Sequence, residues 1–198
     1  MVYALVLFLH IVGALGFFGS LLLWVAVLTA LRRAHRVEEV RPLVALVLRS
    51  QVGAMSSIVV LLLAGVVMTL MAWQFTTDWI VVALGTLVLI APISPLFIEP
   101  RLRAIATLAK AAPDGPLTDT LNERIHHPLL ITALYLLVPL LLGIVFLMVV
   151  KPSLSGAVVV MAGAGILGML CCFPFWVTPP LDRHPHEAER LTRKERTR

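Results

Sequence analysis

His10 is the one ionisable side chain inside the long apolar stretches of this chain. Burying charge in lipid is costly, so an ionisable residue at such a position marks a candidate functional site. Its imidazole could ligate haem iron or copper, or hydrogen-bond across a helix contact. It lies eight residues into its stretch, ~12 Å at 1.5 Å per residue. Four methionines fall at the matching end of other stretches: Met68, Met71, Met148 and Met161. Soft thioethers suit Cu(I), and a His/Met pair suits a low-spin haem. The candidate cofactor pair is therefore His10 with Met68, the best-placed methionine in depth. The candidate metal set is His10, Met68, Met71, Met148 and Met161, and the cofactor it suggests is haem b or copper. Methionine also fills gaps in apolar cores, the blander role for all four.

A second constellation is Ala91-Pro92-Ile93-Ser94-Pro95-Leu96-Phe97-Ile98-Glu99-Pro100. Prolines at 92 and 95 remove backbone donors and must be compensated by neighbours or water. A broken helix end beside a carboxylate makes Pro92, Pro95 and Glu99 a candidate gate; plain termination and a kink is the simpler outcome. The remaining histidines offer less. His126 and His127 lie almost a membrane thickness from His10, and His184 and His186 stand in a charged tail. Cys171 and Cys172 are adjacent, a spacing that rarely meets disulfide geometry, and are expected to be buried small hydrophobes.

The elements that must carry these residues follow from composition. Of 198 residues, 60% are hydrophobic and 14% charged, with a mean hydropathy of +0.98. Soluble domains run nearer half apolar and a quarter charged, so this is a membrane chain, without polar material for a soluble enzyme. Five stretches are long enough to cross a hydrocarbon core of ~30 Å: 2–31, 52–73, 79–98, 129–150 and 157–179. The expected fold is all-α, a transmembrane domain over 1–180 followed by a charged tail over 181–198. The first stretch is expected to be a span and not a cleavable signal peptide, since it lacks a basic leader and is too long.

Basic residues set the expected orientation. Arg32, Arg33, Arg36, Arg41 and Arg49, then Arg101, Arg103, Lys110 and Arg124, then six in the tail, all fall on one side of a five-span bundle. Only Lys151 falls on the other. The positive-inside rule puts the N-terminus outside and the tail in the cytoplasm. The same rule explains the net charge of +5 without nucleic acid. Tyr3, Trp73 and Trp79 suit the outer interface and Trp176 the inner one, whereas Trp24 suits a helix contact.

The connections carry structure of their own. The second helix could start early after Pro42. Arg101–Ala112 alternates as an amphipathic helix suited to the membrane surface. Ala112–Pro116 is a turn cluster, and Thr120 with Glu123 has capping-box spacing. Gly13, Gly16 and Gly19 with Ser20, and Ala164 with Gly168, have the small-residue spacing that lets helices approach closely. If His10 holds haem, the first three glycines would also leave room for a flat porphyrin.

The opening Leu9-His10-Ile11-Val12-Gly13 through Gly19 resembles the first helix of a family of predicted bacterial integral membrane proteins, domain of unknown function 2269. More distantly it is similar to copper resistance D and HemJ-type membrane proteins, which share an early histidine followed by glycines. The segment Leu142–Pro152 resembles the fourth-helix end and outer turn of the first family. The resemblance implies a helical bundle and, through the distant relatives, haem or copper handling at His10.

The functional expectation is a multi-pass protein of the bacterial inner membrane whose first partner is the lipid bilayer. With no buried charge and no nucleotide motif, it is expected to be non-enzymatic: a bundle of its own, a homo-oligomer, or a subunit of a larger membrane complex. The alternatives are a haem- or copper-binding protein using His10 and a transporter or channel acting as an oligomer.

Overall fold

The computed structural model describes residues 1–177 apart from Gln74 and Thr76, with the backbone alone for 174–177. The chain runs through α1 (Val2–Leu31), α2 (Val37–Ala72), α3 (Asp78–Ile90), a π-helical turn (Ser94–Ile98), α4 (Glu99–Ala111), α5 (Asp119–His126), α6 (Pro128–Val150) and α7 (Leu154–Val177). Among the described residues there is no strand. Helix is the answer expected of lipid, where each backbone donor and acceptor must be met within the segment. Five stretches are long and apolar enough to span a membrane: Val2–Leu31, Val37–Ala72, Asp78–Ala111, Asp119–Val150 and Leu154–Phe173. The all-α five-span architecture holds. The tail, with His184 and His186, and the Trp176 side chain lie outside the described residues.

Two hairpins dominate, α1 along α2 and α6 along α7, with α3 touching α6 and α7. Small residues make both seams. A Cβ built on Gly13 would stand 2.8 Å from the Leu61 backbone nitrogen, and one on Gly16 2.5 Å from Ser57 Oγ. In the other hairpin Gly168 faces the backbone of Leu136 at 3.1 Å, and Gly143 faces Ala164 and Met161. Apolar side chains gain little from meeting each other instead of lipid, so close backbone approach supplies the attraction. Trp24 is buried at the α1–α2 contact, where its Nε1 donates to Ser50 Oγ at 3.0 Å.

Several boundaries differ from the sequence expectation, each for a physical reason. The helical path of the third stretch does not stop at Ile98 but continues through the π-helical turn into α4. Pro92 and Pro95 lack N–H groups, and the wide turn absorbs the missing bonds, with the Glu99 N–H reaching back five residues to the Ser94 carbonyl. Nor does the apolar face of α4 lie on the membrane surface. Leu102, Ile105 and Ala109 are buried in the common core, with α4 against α2 and α5. Helix α2 starts at Val37 and runs through Pro42. Helix α5 starts at Asp119 after Thr118, with no side-chain cap bond, so the Thr120–Glu123 box does not form. Helix α7 starts at Leu154, whose N–H is met by Asp78 Oδ2 at 3.1 Å. Cys172 is buried as expected, but Cys171 is exposed because adjacent helical residues point about 100° apart.

The arginine-rich end is tied by polar contacts. The turn after α4 lies against the start of α2: the Val37 N–H donates to the Gly115 carbonyl at 2.9 Å and the Leu117 N–H to the His35 carbonyl at 3.2 Å. Gly115 adopts φ +143°, a conformation that side chains rarely allow. Its N–H donates to Glu38 Oε2. Glu38 stands at the polar start of α2, ahead of its apolar run, and its carboxyl is lowered to about 2, chiefly by a bond from its own backbone and then by Arg36.

Candidate functional site

A cavity of about 320 Å³ opens between α1, α2, α3 and α6, lined mostly by apolar side chains. Tyr3, Trp73, Trp79 and Lys151 stand at the end where α2 gives way to α3 and α6 to α7. The two indoles meet edge to face at 5.6 Å between centroids, and the Lys151 ammonium lies 4.5 Å from the Trp73 ring centre. Lys151 ends α6 in the left-handed region, φ 52°, which swings its side chain back over this rim.

His10 lines one wall, about two helical turns in from Val2. Its Nδ1 lies 3.0 Å from the Leu61 carbonyl on α2. A carbonyl can only accept, so Nδ1 carries the hydrogen, and in a neutral ring Nε2 then holds the lone pair. Gly65 makes this possible, since a Cβ there would stand 3.2 Å from His10 Cε1. The neighbouring Thr69 hydroxyl is absorbed by the Gly65 carbonyl at 2.9 Å. Nε2 is thus a hydrogen-bond acceptor, or a metal ligand, held in orientation by a backbone bond, an arrangement common for ligating histidines.

Of the methionines, Met68 and Met148 line the same cavity as His10. Met71 is 49% exposed on the outer surface of α2, and Met161 packs against Gly143 in the α6–α7 seam. Among the described residues no three His, Cys, Asp or Glu side chains cluster to hold a metal ion. Pro92, Pro95 and Glu99 are not in the cavity lining, whose last residue on α3 is Leu87. Glu99 instead pairs with Arg103 one turn on. The space beside Gly13 and Gly16 is filled by Ser57 and Leu61 of α2, so no porphyrin could lie on that face. The sequence reading did not single out Gly65, Leu61 or Phe17. Leu61 acts through its backbone, which no side-chain pattern announces.

A family model described as Predicted integral membrane protein (DUF2269) matches residues 4–152, well over half of the chain. The chain belongs to this family. The matched region holds nearly all of α1, then α2 to α6, and every cavity-lining residue except Tyr3; α7 lies beyond it. No curated protein and no solved structure matches the chain. These comparisons show no similarity to copper resistance D or HemJ-type proteins.

Proposed function

We propose that this member of the DUF2269 family is a non-enzymatic binding protein of the bacterial inner membrane that holds a small, largely apolar molecule in the His10 cavity. The basic asymmetry supports an orientation with Tyr3, Trp73 and Lys151 outside and the arginine-rich end in the cytoplasm. The observation that carries the reading is the Nδ1 bond from His10 to the Leu61 carbonyl, which leaves Nε2 available on an apolar cavity. Ligand sites of ~300–1,000 Å³ with a few oriented polar groups are the usual form of small-molecule pockets. The volume here meets the lower end of that range.

A second reading is a soft cation such as Cu(I) held by His10 Nε2, Met68 and Met148, favoured because these three donors come from three helices to one cavity. The cavity is far larger than one ion needs, and Lys151 at its mouth repels cations, so the organic ligand is preferred. Haem b lacks the space expected beside the α1 glycines.

The test is native mass spectrometry of the protein released from nanodiscs, with analysis of its organic extract and metal content. Wild type is expected to carry a non-lipid apolar adduct that Ala14→Phe, which fills the cavity, loses. Equal adducts on both proteins, or none on either, would defeat the reading; copper at one equivalent would replace it with the second.

A further inference from the structure

The chemistry of the lining narrows the ligand, and this step rests on the binding function proposed above. In the neutral ring Nε2 of His10 offers a lone pair and no hydrogen, because the Leu61 carbonyl takes the Nδ1 hydrogen at 3.0 Å. No described group of the protein pairs with Nε2. His10 is partly buried, and on a cavity lined mostly by apolar side chains an acceptor cut off from water without a donor costs ~1–3 kcal/mol, so a ligand atom that meets it should bring a hydrogen. That requirement excludes ketones, ethers, quinones and carboxylates at this position, since each presents a lone pair to a lone pair.

Charge narrows it again. The charged side chain on the cavity is Lys151, 4.5 Å above the Trp73 ring. An ammonium-bearing molecule would meet repulsion at the mouth, so the donor belongs to a neutral group. The rest of the lining selects shape. Met68, Met148, Phe17 and Trp79 share the cavity with His10. Thioether sulfur favours aromatic rings by ~0.3–1.5 kcal/mol, and ring edges meeting ring faces add about 0.5–1.5 kcal/mol. An aliphatic alcohol would satisfy Nε2 but use none of these contacts.

We infer that the cavity selects a neutral, alkyl-substituted phenol or hydroquinone, its hydroxyl donating to His10 Nε2 and its ring lying among Met68, Met148 and Phe17. Binding involves no bond making or breaking. The oxidised quinone of the same ring, which has no hydroxyl, is rejected.

The decisive measurement uses the full chain in phosphatidylcholine nanodiscs, titrated with 2,3,5-trimethylphenol and with its methyl ether, 2,3,5-trimethylanisole. Both partition into lipid and fill similar volumes, and they differ in the single donor. Binding is read from the thermal midpoint of helical circular dichroism, with Ala14→Phe as the control for lipid effects. The phenol should bind wild type about tenfold more tightly than the anisole, the value of one hydrogen bond in a dry site. His10→Ala should bind the two alike. Equal affinities on wild type would overturn the phenol assignment while leaving the apolar cavity reading in place, because Ala14→Phe would still abolish both. A preference that persists in His10→Ala would overturn the role of His10. No shift with either probe, beyond that seen in Ala14→Phe, would overturn the inference together with the apolar cavity reading, and an absent adduct in the native spectrum would concur. The wild-type comparison needs no variant to fold.

Discussion

Arg41 on α2 holds Asp114, beyond the end of α4, at 2.5 Å, while its other nitrogens donate to the Ala109 and Ala112 carbonyls at 2.9 and 2.6 Å. The last carbonyls of α4 have no partner within the helix, and a guanidinium fork fits them as an ammonium cannot. Asp114 is 67% exposed, so the ion pair itself is worth about 0–1 kcal/mol. The carbonyl bonds matter more, at roughly 1.5–3 kcal/mol for bonds to a charged donor.

Arg41→Ala should therefore lower stability by about 1–3 kcal/mol, and Asp114→Ala by under about 1 kcal/mol. Steric-trap or denaturant unfolding in bicelles measures both. Equal losses would mean that the ion pair, and not the carbonyl bonds, holds this end together.

Gly13 and Gly19 lie six residues apart on α1 but differ in what they meet. A Cβ at 13 collides with backbone of Leu61 at 2.8 Å, whereas one at 19 has nothing within 4 Å. Gly13→Ala should cost about 1–3 kcal/mol by forcing α1 off α2, and Gly19→Ala should be neutral or slightly stabilising. Because Leu61 also accepts from His10, Gly13→Ala should weaken ligand binding too, a coupling that binding titrations on the two variants would expose.

Trp24→Phe removes the Nε1 bond to Ser50. Ser50 still donates to the Val47 carbonyl, so little is left unpaired. A loss near ~0.6 kcal/mol is expected, the average for hydrogen bonds within membranes. An unfolding free energy lowered by several kcal/mol would show that this bond is worth more than the average.

Glu38 gives the pH dependence its sign. Its folded-state carboxyl sits at about 2 against an ordinary value of 4.5. The stability it adds is present above 4.5 and is lost as pH falls toward 2. Thermal midpoints of wild type and Glu38→Gln should differ at pH 7 and converge near pH 2. A gap that stays constant over that range would mean the contact with Arg36 and Gly115 does not depend on charge.

The number of spans could be read from the sequence because apolar length and charge position are one-dimensional quantities. The faces of those spans could not. Lipid and protein are equally apolar, so α1, α6 and α7 carry apolar residues all round and periodicity does not say which side faces a cavity. Met68 and Met71 illustrate the limit: they stand three residues, about 60° of rotation, apart. One lines the cavity and the other faces away from it. His10 stood out by being alone among apolar residues, but its partner is a carbonyl common to every residue. The helical path from Pro92 to Glu99 was equally hidden, because two prolines announce a break and not the wider turn that bridges it.

The length of α2 has a consequence for how the protein comes apart. Thirty-six residues extend about 54 Å, well past a hydrocarbon layer of ~30 Å. At the N-terminal end of that excess length, Val37, Val40 and Val44 share one core with Leu102, Ile105 and Leu121, in side chains almost wholly removed from solvent. Two media divide one chain. Water drives that cluster together, and its grip weakens with urea as any soluble core does. The seams at Gly13 and Gly168 answer to packing against lipid instead. Denaturant should loosen the arginine-rich end first, leaving a bundle of spans still helical in the bilayer.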